Sequence, residues 1–248
     1  MSPLSEASLS AVVSALQPWH EFAEAVYRQA LDVGDPAPGA EILWIGAGAA
    51  RAAAWWAMKE HAHTSAVDPS GRNVAWAERA ARDGGVGALV TVQHGQPDDL
   101  PHEGAVFDLV VSAAVFDPQS DPTQSIRQAA HVVRPLSPVV LVVPMWLGTP
   151  DEQGTAELAE LGVHPRFLTV WKKTAREAGL VEVTAEEFPR DWRWLADGVL
   201  GPVARAWYAA GLDGARALFS PSVRTLRRLV RQQALGLGFV RGVRWSDA

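Results

Sequence analysis

The chain has 248 residues, 48% of them hydrophobic, and no cysteine, so it can bury a full core while disulfide frameworks and thiolate metal sites are excluded. Its formal net charge of −6 argues against a general nucleic-acid binder, although the eight Arg and two Asp from Gly201 onward leave −12 on the first 200 residues and put a basic segment on an acidic body. The opening stretch MSPLSEASLSAVVSALQPWHEF has no basic region ahead of an apolar core, and no apolar run approaches the roughly 20 residues that span a bilayer, so a cytoplasmic protein without a membrane partner is expected.

In chain order, Leu9, Val12, Val13, Leu16, Phe22, Val26, Tyr27 and Ala30 fall at helical spacing, and Gly34, Pro36 and Pro38 end the pattern. This predicts a helical cap over residues 1–38. Short β-branched runs then alternate with helical segments. Strands are expected at Glu41–Ile45, Thr64–Val67, Leu89–Gln93, Phe107–Val111 and Val139–Val143, with crossover helices at Arg51–Glu60, Asn73–Asp83 and Pro122–Val133. Such alternation predicts a parallel sheet covered by helices on both faces, with the ligand at the carboxyl ends of the first strands.

Beyond Pro150 the spacing predicts a helix at Pro165–Gly179, a sixth strand at Leu180–Thr184, helices at Trp192–Ala210 and Ser222–Leu235, and a final strand at Phe239–Trp245. With no repeat or low-complexity linker, residues 1–248 read as one domain: the cap, a core over 39–189, a helical insertion over 190–238 and a closing strand over 239–248.

Residues 42–51 read ILWIGAGAAR. A strand opening into Gly46-Ala47-Gly48 lets the backbone turn sharply and approach a ligand, and the next helix offers its N-terminal amides to polar groups. A glycine turn after a strand can also be simple packing. Asp68 ends the second strand candidate in AVDPS, where an acid can accept both hydroxyls of a ribose; the alternative is a cap for the helix starting near Gly71. HGQPDDLP follows the third strand, and FDLVVSAA marks the fourth.

Glycine loop, strand-end acid, the G-x-x-x-D-L-P turn, FDLVVS and VVRPLSPVVLVVP, in this order and at these intervals, resemble the class I S-adenosylmethionine-dependent methyltransferases, most closely their small-molecule branch. The resemblance covers residues 39–189. It extends loosely to the C-terminus through Trp192, Trp194 and the run from Gly201 to Ala206. It implies an α/β, Rossmann-like, doubly wound seven-stranded sheet, mostly parallel with an antiparallel last strand, an N-terminal helical cap and a C-terminal helical insertion. It further implies that S-adenosylmethionine is the cofactor. Gly46, Ala47 and Gly48 would lie along its methionine and ribose portion, and Asp68, with Pro69 beside it, would hold the ribose hydroxyls. Gln96 and Pro97 would meet the adenine, and Ser112 and Ala113 would line the site beneath the methionine.

The chain departs from the family pattern at several positions. Trp44 stands where family members usually carry an acid near the methionine ammonium, Ala50 replaces the third glycine, Gln96 stands where an acid is common, and Leu136-Ser137-Pro138 replaces a paired glycine. If Trp44 merely displaces a helpful anion, Trp44→Asp should tighten cofactor binding.

The implied reaction is in-line attack on a sulfonium methyl, where orientation and exclusion of water do most of the work. The acceptor would be a small molecule, aromatic or apolar if Trp192, Trp194 and Trp207 cover it. No metal site is expected, since His61 and His63 lack a third ligand. No general base stands out: His20 and His131 are the candidates considered, with Tyr27, Asp117 and His164 no better. Trp55 and Trp56 are adjacent on one helix, so at most one should face the site.

Arg224, Arg227, Arg228 and Arg231 form a helical stripe read as solvent-exposed, with RNA not expected as a partner. Two other readings remain open. One is a non-methylating relative with the same fold, either a binding protein or a repurposed enzyme. The other is an NAD-dependent oxidoreductase, against which stands Arg51 at the third glycine of G-x-G-x-x-G.

Overall fold

Strand β1 (Glu41–Ile45) is apolar on both faces: Ile42 and Trp44 enter one core, Leu43 and Ile45 another. A strand buried on both sides needs a helical layer on each. The computed structural model describes residues 23–46, 51–113, 121–150, 152–159, 163–188 and 222–246, and it supplies both layers.

Helix α1 (residues 23–34) precedes β1. The remaining elements are α2 (Arg51–Glu60), β2 (His63–Asp68), α3 (Gly71–Asp83), β3 (Val90–His94), β4 (Leu109–Ser112), α4 (Pro122–Val132), β5 (Pro138–Trp146), α5 (Glu152–Ala159), α6 (Leu168–Glu177), β6 (Leu180–Glu187), α7 (Ser222–Arg231) and β7 (Leu235–Arg244). One seven-stranded sheet runs in the order β3-β2-β1-β4-β5-β7-β6. Strands β1 to β5 pair in parallel, and β7 is antiparallel to both β5 and β6. This is the doubly wound sheet that the alternation implies.

Alanines and two tryptophans of α2 fill one core together with Val26, Ala30 and Leu31 of α1 and Ala77 and Ala81 of α3. The other core takes Ile126, Ala129 and Val132 of α4 and Trp171 and Ala175 of α6. Buried indoles keep their donors paired where a carbonyl is in reach. Trp56 donates to the Tyr27 carbonyl at 3.2 Å and Trp171 to the Pro144 carbonyl at 2.9 Å.

Several boundaries differ from the sequence expectations, with β5 running on to Trp146 and β6 to Glu187. The last helix stops at Arg231 and β7 begins at Leu235, so the insertion does not run to 238 and the closing strand starts earlier than 239. The run LGLG reads as the end of the helical insertion because glycine is a poor strand former. Here the missing side chain is a packing requirement: a Cβ at Gly238 would sit 2.6 Å from Leu168 Cδ2 and 3.1 Å from Met145 Sδ. Strand β4 begins at Leu109 rather than Phe107, which makes only an isolated bridge to Val133. Helix α5 was not anticipated, because EQGTAELA buries only Gly154 and Leu158 and carries no apolar period. The helix expected at Trp192–Ala210 lies outside the described residues, as does the cap before residue 23.

At the amino-terminal edge of the sheet Asp108 accepts from the Glu41 N–H at 2.9 Å and pairs with Arg134. Burial pushes this carboxyl upward, but the Arg134 hydrogen bond, the Glu41 N–H and the Arg134 charge together hold it below the usual carboxylate range. A carboxyl depressed in the folded chain contributes stability above its unfolded pKa of about 3.9 and loses that contribution as pH falls through the lower folded value. Both side chains are partly exposed, so Asp108→Asn should cost only about 1 kcal/mol at neutral pH. Urea titrations at pH 7 and pH 3 should show that difference shrinking toward the acid end.

Candidate functional site

Parallel register sets the carboxyl ends of four strands level. Ile45 lies opposite Val67 and Ser112, and Asp68 opposite His94. Gly46 follows β1 with φ of 81° and donates its N–H to the Val67 carbonyl at 3.0 Å. That left-handed conformation suits glycine and carries the chain out of the sheet directly toward the end of β2.

Asp68 is the last residue of β2 and is only 5% exposed. Its Oδ1 accepts from the Ser70 N–H at 2.9 Å and from Asn73 Nδ2 at 3.1 Å. The helix behind it is capped by Ser70, whose hydroxyl accepts from the Asn73 N–H at 3.2 Å. Asp68 is therefore not the cap of α3. It is a charged acceptor oriented by a capped helix, and an ionised carboxylate has room for about four hydrogen bonds.

The third strand end is tied to the second. His94 Nε2 lies 2.9 Å from the Pro69 carbonyl, a contact that requires the N–H on Nε2, and Gly95 donates to the Asp68 carbonyl at 3.2 Å. Gln96 is exposed and Pro97 buried in a turn closed by the Asp99 N–H on the Gln96 carbonyl at 3.2 Å. On the other side Ser112 is buried, and Ala113 donates to the Ile45 carbonyl at 3.0 Å. Gly46, Asp68, Pro69, Gln96, Pro97, Ser112 and Ala113 thus meet at one edge, while Ala47, Gly48 and Ala50 lie outside the described residues.

Gly95 is where this edge tolerates least. A Cβ there would lie 2.6 Å from Pro101 Cδ and 3.1 Å from Val67 Cγ1, and neither a proline ring nor a core valine can swing away. Gly95→Ala should cost about 1–3 kcal/mol, the usual penalty of overpacking, and should displace the Gln96 turn. Thermal unfolding with and without S-adenosylhomocysteine would read both effects.

Trp44 does not face the site. It is 6% exposed, meets Tyr27 and Trp56 edge-on at 5.8 and 5.2 Å, and reaches the glycine turn only through its indole N–H on the Gly46 carbonyl at 3.2 Å. The residue that departs most from the family pattern is a packed support for the turn. Trp56 lies beneath it and Trp55 contacts Tyr27 at 6.3 Å, so neither tryptophan of α2 faces the strand ends.

Sequence reasoning missed Ser70, Asn73 and His94 as supports of Asp68. The signal was the spacing D-P-S-x-x-N, a serine cap with an amide three residues on. His131 sits at the opposite edge of the sheet, its carbonyl accepting from Ala105 N–H and Arg244 Nη1; the acid–base role considered for it does not fit that position. His20 and Asp117 lie outside the described residues, as do Trp192, Trp194 and Trp207. Arg224, Arg228 and Arg231 are exposed along α7. Among the described residues no three His, Asp or Glu gather as metal ligands, and no helix is long and apolar enough to cross a membrane.

Residues 43–141 match the family described as Methyltransferase domain. Sarcosine/dimethylglycine N-methyltransferase of Halorhodospira halochloris is 27% identical over 156 residues, 60% of this chain and 54% of that protein. The chain spans about half the length of the curated relatives it matches. Among solved structures, the [4+2]-cyclase SpnF superposes with a TM-score of 0.73 at 17% identity, covering 92% of this chain and 83% of that one. A geranyl diphosphate C-methyltransferase from Streptomyces coelicolor A3(2), solved with Mg2+, geranyl diphosphate and S-adenosyl-L-homocysteine, superposes with a TM-score of 0.69 at 14% identity, over 98% and 86% of the two chains.

Proposed function

We propose that this chain, whose residues 43–141 match the methyltransferase domain family, is a class I S-adenosylmethionine-dependent methyltransferase that binds S-adenosylmethionine at the edge formed by Gly46, Asp68, Gln96 and Ser112 and methylates a small-molecule acceptor. The observation that carries this reading is the buried Asp68 carboxylate at the end of β2, level with a glycine turn of positive φ. The residues present fit the cofactor: an acid for vicinal hydroxyls, an exposed amide at Gln96 for an exocyclic amine, and a turn at Gly46 with no side chain to obstruct a close approach.

The cofactor's contribution is a methyl group already activated on a sulfonium sulfur. The chain's residues bind and orient. Asp68, held by Ser70 and Asn73, would accept from the ribose; Gln96, on the turn that buried Pro97 anchors, would meet the base; Ser112 and Ala113 would close the floor beneath the methionine. A preformed edge of this kind lowers the entropic cost of bringing two reactants together. The related proteins named above act on a small amine and on an allylic diphosphate, which makes sarcosine and geranyl diphosphate the first acceptors to assay.

Isothermal titration with S-adenosylmethionine and S-adenosylhomocysteine tests the proposal. Micromolar binding of both, about −8 kcal/mol, is expected. Absence of binding at millimolar ligand would overturn it in favour of the second reading, a non-methylating relative. Trp44 in place of the family acid favours that reading, and the similarity to a protein described as a cyclase fits it.

A further inference from the structure

An S-adenosyl ligand has two ends, a nucleoside with a vicinal diol and an amino acid with an ammonium, and the carboxyl edge of the sheet meets them unequally. For the diol it offers the Asp68 carboxylate, 5% exposed, which accepts from the Ser70 N–H at 2.9 Å and from Asn73 Nδ2 at 3.1 Å. Both donors belong to the capped start of α3, so the carboxylate is oriented before any ligand arrives.

An ammonium is a donor only and needs acceptors. The backbone carbonyls along the ends of β1 and β2 are already engaged. Ile45 accepts from the Ala113 N–H at 3.0 Å, Val67 from the Gly46 N–H at 3.0 Å, Asp68 from the Gly95 N–H at 3.2 Å and Pro69 from His94 Nε2 at 2.9 Å. Gly46, the first carbonyl beyond β1, accepts from the Trp44 indole N–H at 3.2 Å. That N–H turns the positive end of its dipole toward the acceptor a cation would seek. The side chains beside the turn are Trp44, packed into the core, and Ser112 and Ala113, which carry no charge.

We propose that the site recognises its ligand by the nucleoside and leaves the ammonium unread, so that it takes 5′-thioadenosines with or without an amino group. The inference rests on the methyltransferase reading above and names the ligand class of that same site. Trp44 determines this specificity through its bond to the Gly46 carbonyl. Thioether nucleosides that lack the amino group therefore compete with the cofactor and inhibit its binding.

The probe is the deaminated analogue of S-adenosylhomocysteine, which keeps the adenosine, the sulfur and the carboxylate and carries hydrogen in place of the ammonium. Titrated by calorimetry into the full chain, it should bind within about 10-fold of S-adenosylhomocysteine, since losing a hydrogen bond to a charged group costs about 10–150-fold where a site uses one. Trp44→Phe keeps a ring in the core and frees the Gly46 carbonyl. It should widen the preference for S-adenosylhomocysteine by at least about 3-fold, whereas Asp68→Asn should weaken both ligands alike. A merely looser turn lowers both affinities together, so their ratio separates recognition from packing. A gap wider than about 10-fold on the native chain, or a ratio that Trp44→Phe leaves unchanged, would overturn the inference with cofactor binding intact. So would a loss of S-adenosylhomocysteine but not of the analogue in Glu24→Gln, whose carboxylate is exposed in the first turn of α1. Binding of neither ligand would overturn the methyltransferase reading and the inference with it.

Discussion

Asp68→Ala should weaken the binding of S-adenosylhomocysteine severely. Two hydrogen bonds to a charged acceptor contribute about 1.5–3 kcal/mol each, so affinity should fall by at least about 100-fold. The same substitution strips the acceptor from the Ser70 N–H and from Asn73 Nδ2, which loosens the turn between β2 and α3. Asp68→Asn separates the two effects. It keeps an acceptor oxygen for the turn and removes the charge, so the fold should keep its melting temperature to within a few degrees while the affinity still drops. If Asp68→Ala bound S-adenosylhomocysteine as well as the native chain, the ribose role of this residue would be lost. Calorimetry beside thermal unfolding decides between these outcomes.

Trp44→Asp is the second large effect, and its expected sign is the reverse of the one suggested by sequence alone. The family pattern makes an acid at this position look helpful. The packing makes it harmful: the side chain lies among Tyr27, Trp56 and the alanines of α2. A carboxylate there leaves a void and buries a charge without a partner, and the Gly46 carbonyl loses its indole donor. A loss of about 4 kcal/mol is expected, equivalent to roughly 8–16 °C in melting temperature for a chain of this size. Cofactor binding should weaken with it, since the turn at Gly46 loses its brace. Tighter binding at an unchanged melting temperature would show that the indole blocks the site instead.

Local chemistry made much of the framework legible. An apolar run broken by Gly46 marked β1, the helical period starting at Arg51 marked α2, and the acid at the end of AVD marked the last residue of β2. The spacing from Gly46 to Asp68 to Gln96 is set by one strand and one helix each, and those lengths vary little in doubly wound sheets.

What escaped depends on contacts between distant segments. Alternation along β1 puts Ile42 and Trp44 on one face, but which face meets α1 is decided by the crossover topology. The outward or inward sense of Trp44 could therefore not be read from ILWIG. Gly238 looks like a strand breaker until Leu168 and Met145, remote in sequence, are seen to need its space. Helix α5 is held by α7 through Leu158 and Leu229, again a pairing with no local signature.

The position of β7 between β5 and β6 has a consequence for synthesis. Strand β6 leaves the ribosome with no partner in the growing sheet, because its neighbour is made only after the chain has travelled from Glu187 to Leu235. Until then β6 has no strand beside it, although α6 already has α4 and β5 to pack on, and β5 presents an open edge. Contacts so far apart in sequence are slow to form, and exposed edges invite association with other chains. The nascent protein should therefore need protection longest at this end of the sheet, and a chain halted between Glu187 and Leu235 should leave β6 and the edge of β5 exposed together.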